Sequence, residues 1–116
     1  MSDLKDRRCA ACKKGDPALT AQRAAELLRE IPDWKLNTVT QAISRMLHFN
    51  NFHETMAFVN AVAWIAHRED HHPDLEVGYN RCVLHYRTHT VDGLSENDFI
   101  CAAKINALLA KPTSKA

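Results

Sequence analysis

Apolar residues recur along this chain with two different periods. From Thr20 to about Ile31 the spacing is helical, with Ala24, Leu27, Leu28 and Ile31 on one face, Thr20 as the N-cap and Pro32 as the stop. A period of two follows. Trp34 to Asn37 and Thr40 to Phe49 read as strands joined by a short polar turn, with Ile43, Leu47 and Phe49 on one face and Arg45 as an exception of the same parity. Helical spacing returns after Asn51, whose pairing with Glu54 resembles a capping box. Phe52, Met56, Val59, Ala63 and Ala66 form the stripe, widened by Phe58, Val62 and Ile65. This helix ends near Asp70, because Pro73 disfavours helical geometry in the residue before it.

Leu75 to Asn80 then reads as a strand, and residues 82–89 alternate plainly. Cys82, Leu84, Tyr86 and Thr88 take the buried parity, while Val83, His85, Arg87 and His89 take the polar one. Asp92-Gly93 makes a turn and Ser95 caps a last helix, whose Ala102, Ala103, Ile105, Ala107, Leu108 and Leu109 pack. These elements predict an α+β domain: a four-stranded antiparallel sheet with about three helices packed on one face. The expected organisation is a flexible polar N-terminal extension over 1–18, one domain over 19–111 and a frayed tail over 112–116.

Composition narrows the function classes. At 116 residues the chain holds one modest core. A net charge of +1 with 25% charged residues gives no field for nucleic acid, and Arg7, Arg8, Lys13 and Lys14 are interspersed with Asp3, Asp6 and Asp16. No apolar run approaches the roughly 18 residues of a membrane span, and no secretory leader is evident, so a cytoplasmic location is expected. The four cysteines are too scattered for a disulfide scaffold. Cys82 and Cys101 read as small core side chains. Cys9-Ala10-Ala11-Cys12 has the spacing of half a zinc site or a redox couple, with no second pair to complete a zinc site.

The chemistry concentrates between His67 and Asp98. His71 and His72 stand where the chain leaves a helix, with Pro73 fixing the exit, and His89 closes the strand that returns toward them. Imidazole, with a pKa of about 6.5, donates and accepts protons near neutrality. From spacing alone three readings stand open: acid/base chemistry, a metal site in which His67 and His71 face one side of a helix with His72 or His89, and structural histidines. His48, His53 and His85 have no motif context and read as surface or partner-bonded. Asp98, three residues after Ser95, suits the first turn of a helix as structural support, and Tyr79 suits packing in the sheet.

The order His67, three residues, His71-His72-Pro73, five residues, Tyr79, nine residues, His89, eight residues, Asp98 resembles the signature of the pterin-4a-carbinolamine dehydratases. The likeness runs from about Trp34 to about Leu108 and includes the segments Leu47 to Phe52 and Thr88 to Asp98. One departure is His67, where many members carry an acid; if that acid orients an imidazole, His67 either does so differently or leaves the task to Glu69 or Asp70. The resemblance implies a hydro-lyase that dehydrates 4a-hydroxytetrahydropterin to quinonoid dihydropterin. His71 and His89 are then the acid/base pair and His72 chiefly a substrate contact, with Trp34, Asp70, Pro73 and Thr88 about the pterin. It implies no cofactor, a homodimer or homotetramer, and a link to an aromatic amino-acid hydroxylase. A protein-binding dimerisation or coactivator module is the alternative, and a histidine-ligated metal hydrolase a third class.

Overall fold

The computed structural model describes residues 3–109. Helix α1 spans Ala21–Leu28, capped by the Thr20 hydroxyl, which accepts from the Arg23 amide at 3.1 Å. It ends three residues short of Ile31 and closes in 3₁₀ turns, with the Glu30 and Ile31 amides bonded to Leu27 and Leu28 carbonyls. Pro32 accounts for this, since it disfavours helical geometry in Ile31. Strands β1 (Lys35–Asn37) and β2 (Ala42–His48) follow. They are shorter than the sequence suggests because the turn consumes residues 38–41: Asn37 Oδ1 accepts from the Val39 and Thr40 amides, and Gln41 takes φ 55°.

Helix α2 covers Phe52–Glu69, β3 Asp74–Val77, β4 Arg81–Tyr86 and α3 Glu96–Leu109. The sheet order is β1-β2-β4-β3, antiparallel throughout. Pairings Ile43↔Tyr86, Arg45↔Leu84 and Leu47↔Cys82 fix the register, and with it the face turned to the helices. Cys82, Leu84, Tyr86 and Thr88 are buried as their parity predicts. Ser44, Met46 and His48 lie on the open face, where His85 bonds Ser44 and Glu76 at 2.6 Å each. The expected α+β architecture is therefore the one observed.

Arg45, the exception to alternation, points inward without a stranded charge. Its guanidinium donates to Asn106 Oδ1 at 2.5 Å and lies 3.7 Å from Asp33. Helix α2 is turned relative to expectation: Thr55, Phe58, Val62, Ile65 and Glu69 are buried, whereas Phe52 and Ala63 are exposed. Apolar residues occupy most of its circumference, so spacing alone does not select a face. Thr55 helps select it, its hydroxyl donating to the carbonyls of Asn51 and Tyr79 at 3.0 Å each.

The N-terminal segment departs most from expectation. Leu4 is buried in the core, Lys104 Nζ donates to the Lys5 carbonyl at 2.8 Å, and Arg7 pairs with Glu96 at 2.6 Å. These contacts lay residues 4–12 as a strap on α3, which periodicity could not reveal because its partners lie some ninety positions away. The tail expected over 112–116 lies outside the described residues.

Candidate active site

Helix α2 ends in a left-handed residue, Asp70 (φ 53°, ψ 43°), with the amides of Asp70 and His71 bonded back to His67 and Ala66 carbonyls. This C-terminal motif, rather than the proline alone, sets where His71 leaves the helix. Antiparallel pairing of Asp74 with His85 then brings residues 71–73 and 87–89 to the same end of the sheet. There Thr88 exchanges backbone hydrogen bonds with Gly93, closing a loop that carries His89 and delivers the chain to α3. Gly93 is required by close approach, since an added Cβ would sit 2.9 Å from that of Ala18.

Three elements meet at Asp98, which is fully buried. Its Oδ1 lies 2.6 Å from His71 Nε2; its Oδ2 accepts from the Thr88 hydroxyl at 2.8 Å and the Ser95 amide at 2.9 Å. The Ser95 hydroxyl, expected to cap α3, instead bonds Thr88 at 2.7 Å, so only the reverse arm of a capping box is made. The His71 ring stacks on Tyr86, with centroids 5.5 Å apart and planes 11° from parallel. Burial disfavours the imidazolium, but the hydrogen bond to Asp98 and its charge outweigh burial and hold His71 above its ordinary pKa. Asp98 occupies one ring nitrogen and leaves Nδ1 for a ligand.

A cavity of about 290 Å³ opens beside this pair. Asp70, His71, Thr88 and Thr90 form one part of its lining, Glu69 and Asn97 another, and Cys9 to Cys12 of the strap the rest. Glu69 is buried beneath the strap. Burial opposes its charge, yet the Cys9 amide at 2.9 Å, Arg8 and Lys104 hold its pKa below the usual carboxylate value.

Among the residues read from sequence, His71, Asp70 and Thr88 line this cavity and Asp98 supports it. His72 and His89 are exposed at the same end of the sheet, outside the cavity lining; His89 Nδ1 accepts from Arg87 at 3.4 Å. Pro73 is half-buried and also outside the lining.

Trp34 does not reach the cavity. It is 2% exposed, its Nε1 donates to Asn106 at 2.8 Å, and its ring lies 6.0 Å from Tyr86, on whose ring His71 stacks. Tyr79, expected to pack in the sheet, is 65% exposed in the β3–β4 turn, away from the His71 end. His67 is exposed on α2, and Asp98, rather than Glu69 or Asp70, takes the imidazole. Among the described residues no group of three or more His, Cys, Asp or Glu side chains is arranged to hold a metal ion. Asn97 and the strap escaped sequence reading; no spacing links residues so far apart.

Comparison with known proteins adds independent findings. A family model described as pterin 4 alpha carbinolamine dehydratase matches residues 17–108. A provisionally named pterin-4-alpha-carbinolamine dehydratase of Nitrosomonas eutropha (strain DSM 101675 / C91 / Nm57) is 54% identical over 110 residues, 94% of this chain and 96% of that one. One of the same provisional name from Stenotrophomonas maltophilia (strain K279a) is 58% identical over 105 residues, 90% of each chain. Among solved structures, a transcriptional coactivator/pterin dehydratase from Brucella melitensis superposes with a TM-score of 0.77 at 32% identity, covering 80% of this chain and 99% of that one. A pterin dehydratase-like RuBisCO assembly factor of the alpha-carboxysome shares the fold, with a TM-score of 0.59 at 20% identity over 69% of this chain and 93% of that one.

Proposed function

The chain belongs to the pterin 4 alpha carbinolamine dehydratase family, and on that premise we propose that it is a hydro-lyase converting 4a-hydroxytetrahydropterin to quinonoid dihydropterin by histidine acid/base catalysis. The observation that carries the mechanism is the His71–Asp98 contact at the cavity wall. Hydroxide is a poor leaving group, so a proton must reach the departing oxygen as the C4a–O bond breaks. His71, whose charged form Asp98 favours, supplies that proton from Nδ1. A neutral imidazole must accept the proton of the ring nitrogen, and His89, at the same end of the sheet, is assigned that step. The substrate sits at the mouth of the cavity, where Thr88 and Asp70 line the wall and His72, exposed outside the lining at the same end of the sheet, contacts it.

Every step moves a proton without changing oxidation state, so the reading calls for no metal or organic cofactor. The carbinolamine is the product of a pterin-dependent aromatic amino-acid hydroxylase, so the proposed activity would follow such an enzyme, in the cytoplasm. Stopped-flow absorbance on synthetic carbinolamine tests the assignment. His71→Ala and His89→Ala should each lower the catalysed rate about 10²-fold or more. Retention of the full rate by either would remove that residue's role. A protein-binding function would survive both substitutions.

A further inference from the structure

Residues 4–12 precede the stretch covered by the family match, yet they supply part of the cavity wall. The strap is held by specific contacts: the Ala10 amide donates to Asn97 Oδ1 at 3.0 Å, and Asn97 Nδ2 returns a bond to the Ala10 carbonyl at 2.7 Å. That clamp seats Cys9 over the first turns of α3, where its Sγ lies 3.5 Å from Cys101 Sγ. Cys101 is fully buried, whereas Cys9 is half-buried and lines the cavity. Cys12, the other half of the sequence motif, lies against Asn97 Nδ2 at 3.5 Å. Thus the fold pairs Cys9 with a cysteine 92 positions away, which spacing alone does not reveal.

We propose that Cys9 and Cys101 form a two-electron dithiol site, oxidised by low-molecular-weight disulfides, that fastens the strap to α3 at the wall of the cavity. The balance is simple. Cys9, the sulfur reachable from the cavity, attacks the small disulfide, forming a mixed disulfide and releasing one small thiol that carries the Cys9 proton. Cys101 then attacks the Cys9 sulfur, its proton leaving with the second small thiol. Two protein thiols are oxidised and one small disulfide is reduced to two thiols. The shared hydrogen bond and burial raise the Cys9 pKa, while that hydrogen bond and the charge of His71 lower the Cys101 pKa against burial. Access from the cavity therefore selects Cys9 for the first attack, which is the slow step, and Cys101 is suited to the second, resolving attack. The proposal does not depend on the dehydratase reading.

The test treats the reduced full chain with oxidised glutathione, alkylates remaining thiols with N-ethylmaleimide and maps the tryptic fragments by mass spectrometry. The expected product has lost two hydrogens and joins fragments 9–13 and 88–104, with Cys12 and Cys82 alkylated. Cys12→Ala should keep the link and Cys9→Ala should abolish it. A bond between Cys9 and Cys12, a persistent glutathione adduct, or full alkylation of all four cysteines would each overturn the proposal. Cys9 is half-buried at the strap, so its alanine variant keeps the comparison valid even if a change at buried Cys101 unfolds the chain.

Discussion

Asp98 divides its two carboxylate oxygens between His71, 2.6 Å from Oδ1, and Thr88, whose hydroxyl donates to Oδ2 at 2.8 Å. One buried acid thereby fixes the imidazole at the exit of α2 to the segment after β4. Loss of either neighbour leaves the carboxylate less well held, because a buried charge depends on its hydrogen bonds.

Thr88→Val removes the hydroxyl at nearly constant volume. It should cost about 1–3 kcal/mol in stability and lower the dehydration rate about tenfold as Asp98 gains freedom. Urea unfolding and stopped-flow rates on the same sample check both; unchanged stability would mean that the Thr88 contact contributes little.

Two shifted groups set opposite limbs of stability against pH. Glu69 has a lowered folded pKa, so its contribution is present above the ordinary carboxylate value and is lost as pH falls through the lowered one. His71 has a raised folded pKa, so its contribution is complete below the ordinary imidazole value and is lost as pH rises through the raised one. The melting temperature should peak between them, and Glu69→Gln should flatten the acid limb alone. Calorimetry across pH 3–9 measures this; an unaltered acid limb in the variant would contradict the Glu69 assignment.

Gly93→Ala brings a methyl group to 2.9 Å from the Ala18 side chain in the loop that carries His89. Displacement there should cost about 1–3 kcal/mol and disturb the Thr88–Gly93 bridge. Restored stability in the double variant with Ala18→Gly would tie the loss to that contact; no recovery would place it elsewhere.

Phe52 and Trp64 on α2 and Leu108 on α3 are exposed large apolar side chains, which association of copies through the helices would shield from water. A homodimer or homotetramer is expected in sedimentation at micromolar concentration, and Trp64→Glu should shift it toward monomer. A monomeric wild type would remove this expectation.

The fold was largely legible because parity and caps are local. Cys82 through Thr88 announce their buried side by alternation, and Thr20 and Asn51 announce their helices through capping. The site was legible only in part. His71, Asp70 and Thr88 come from one continuous motif, whereas Cys9, Asn97 and Cys101 meet through contacts about ninety residues apart. Trp34, which the family resemblance puts about the pterin, is buried against Tyr86 with its indole N–H satisfied by Asn106, a placement that its position in the sequence does not reveal. The α2 stripe misled because an all-round apolar helix carries little directional information.

The most direct test of the mechanism is the pH dependence of carbinolamine dehydration in the wild type and in Asp98→Asn. If imidazolium at His71 delivers the proton, the wild-type rate falls as pH rises through the raised His71 pKa. The variant, lacking the carboxylate charge that favours imidazolium, should lose about 10²-fold at neutral pH and show this fall at lower pH. An identical alkaline limb in both proteins would contradict the assignment of proton delivery to the His71–Asp98 pair.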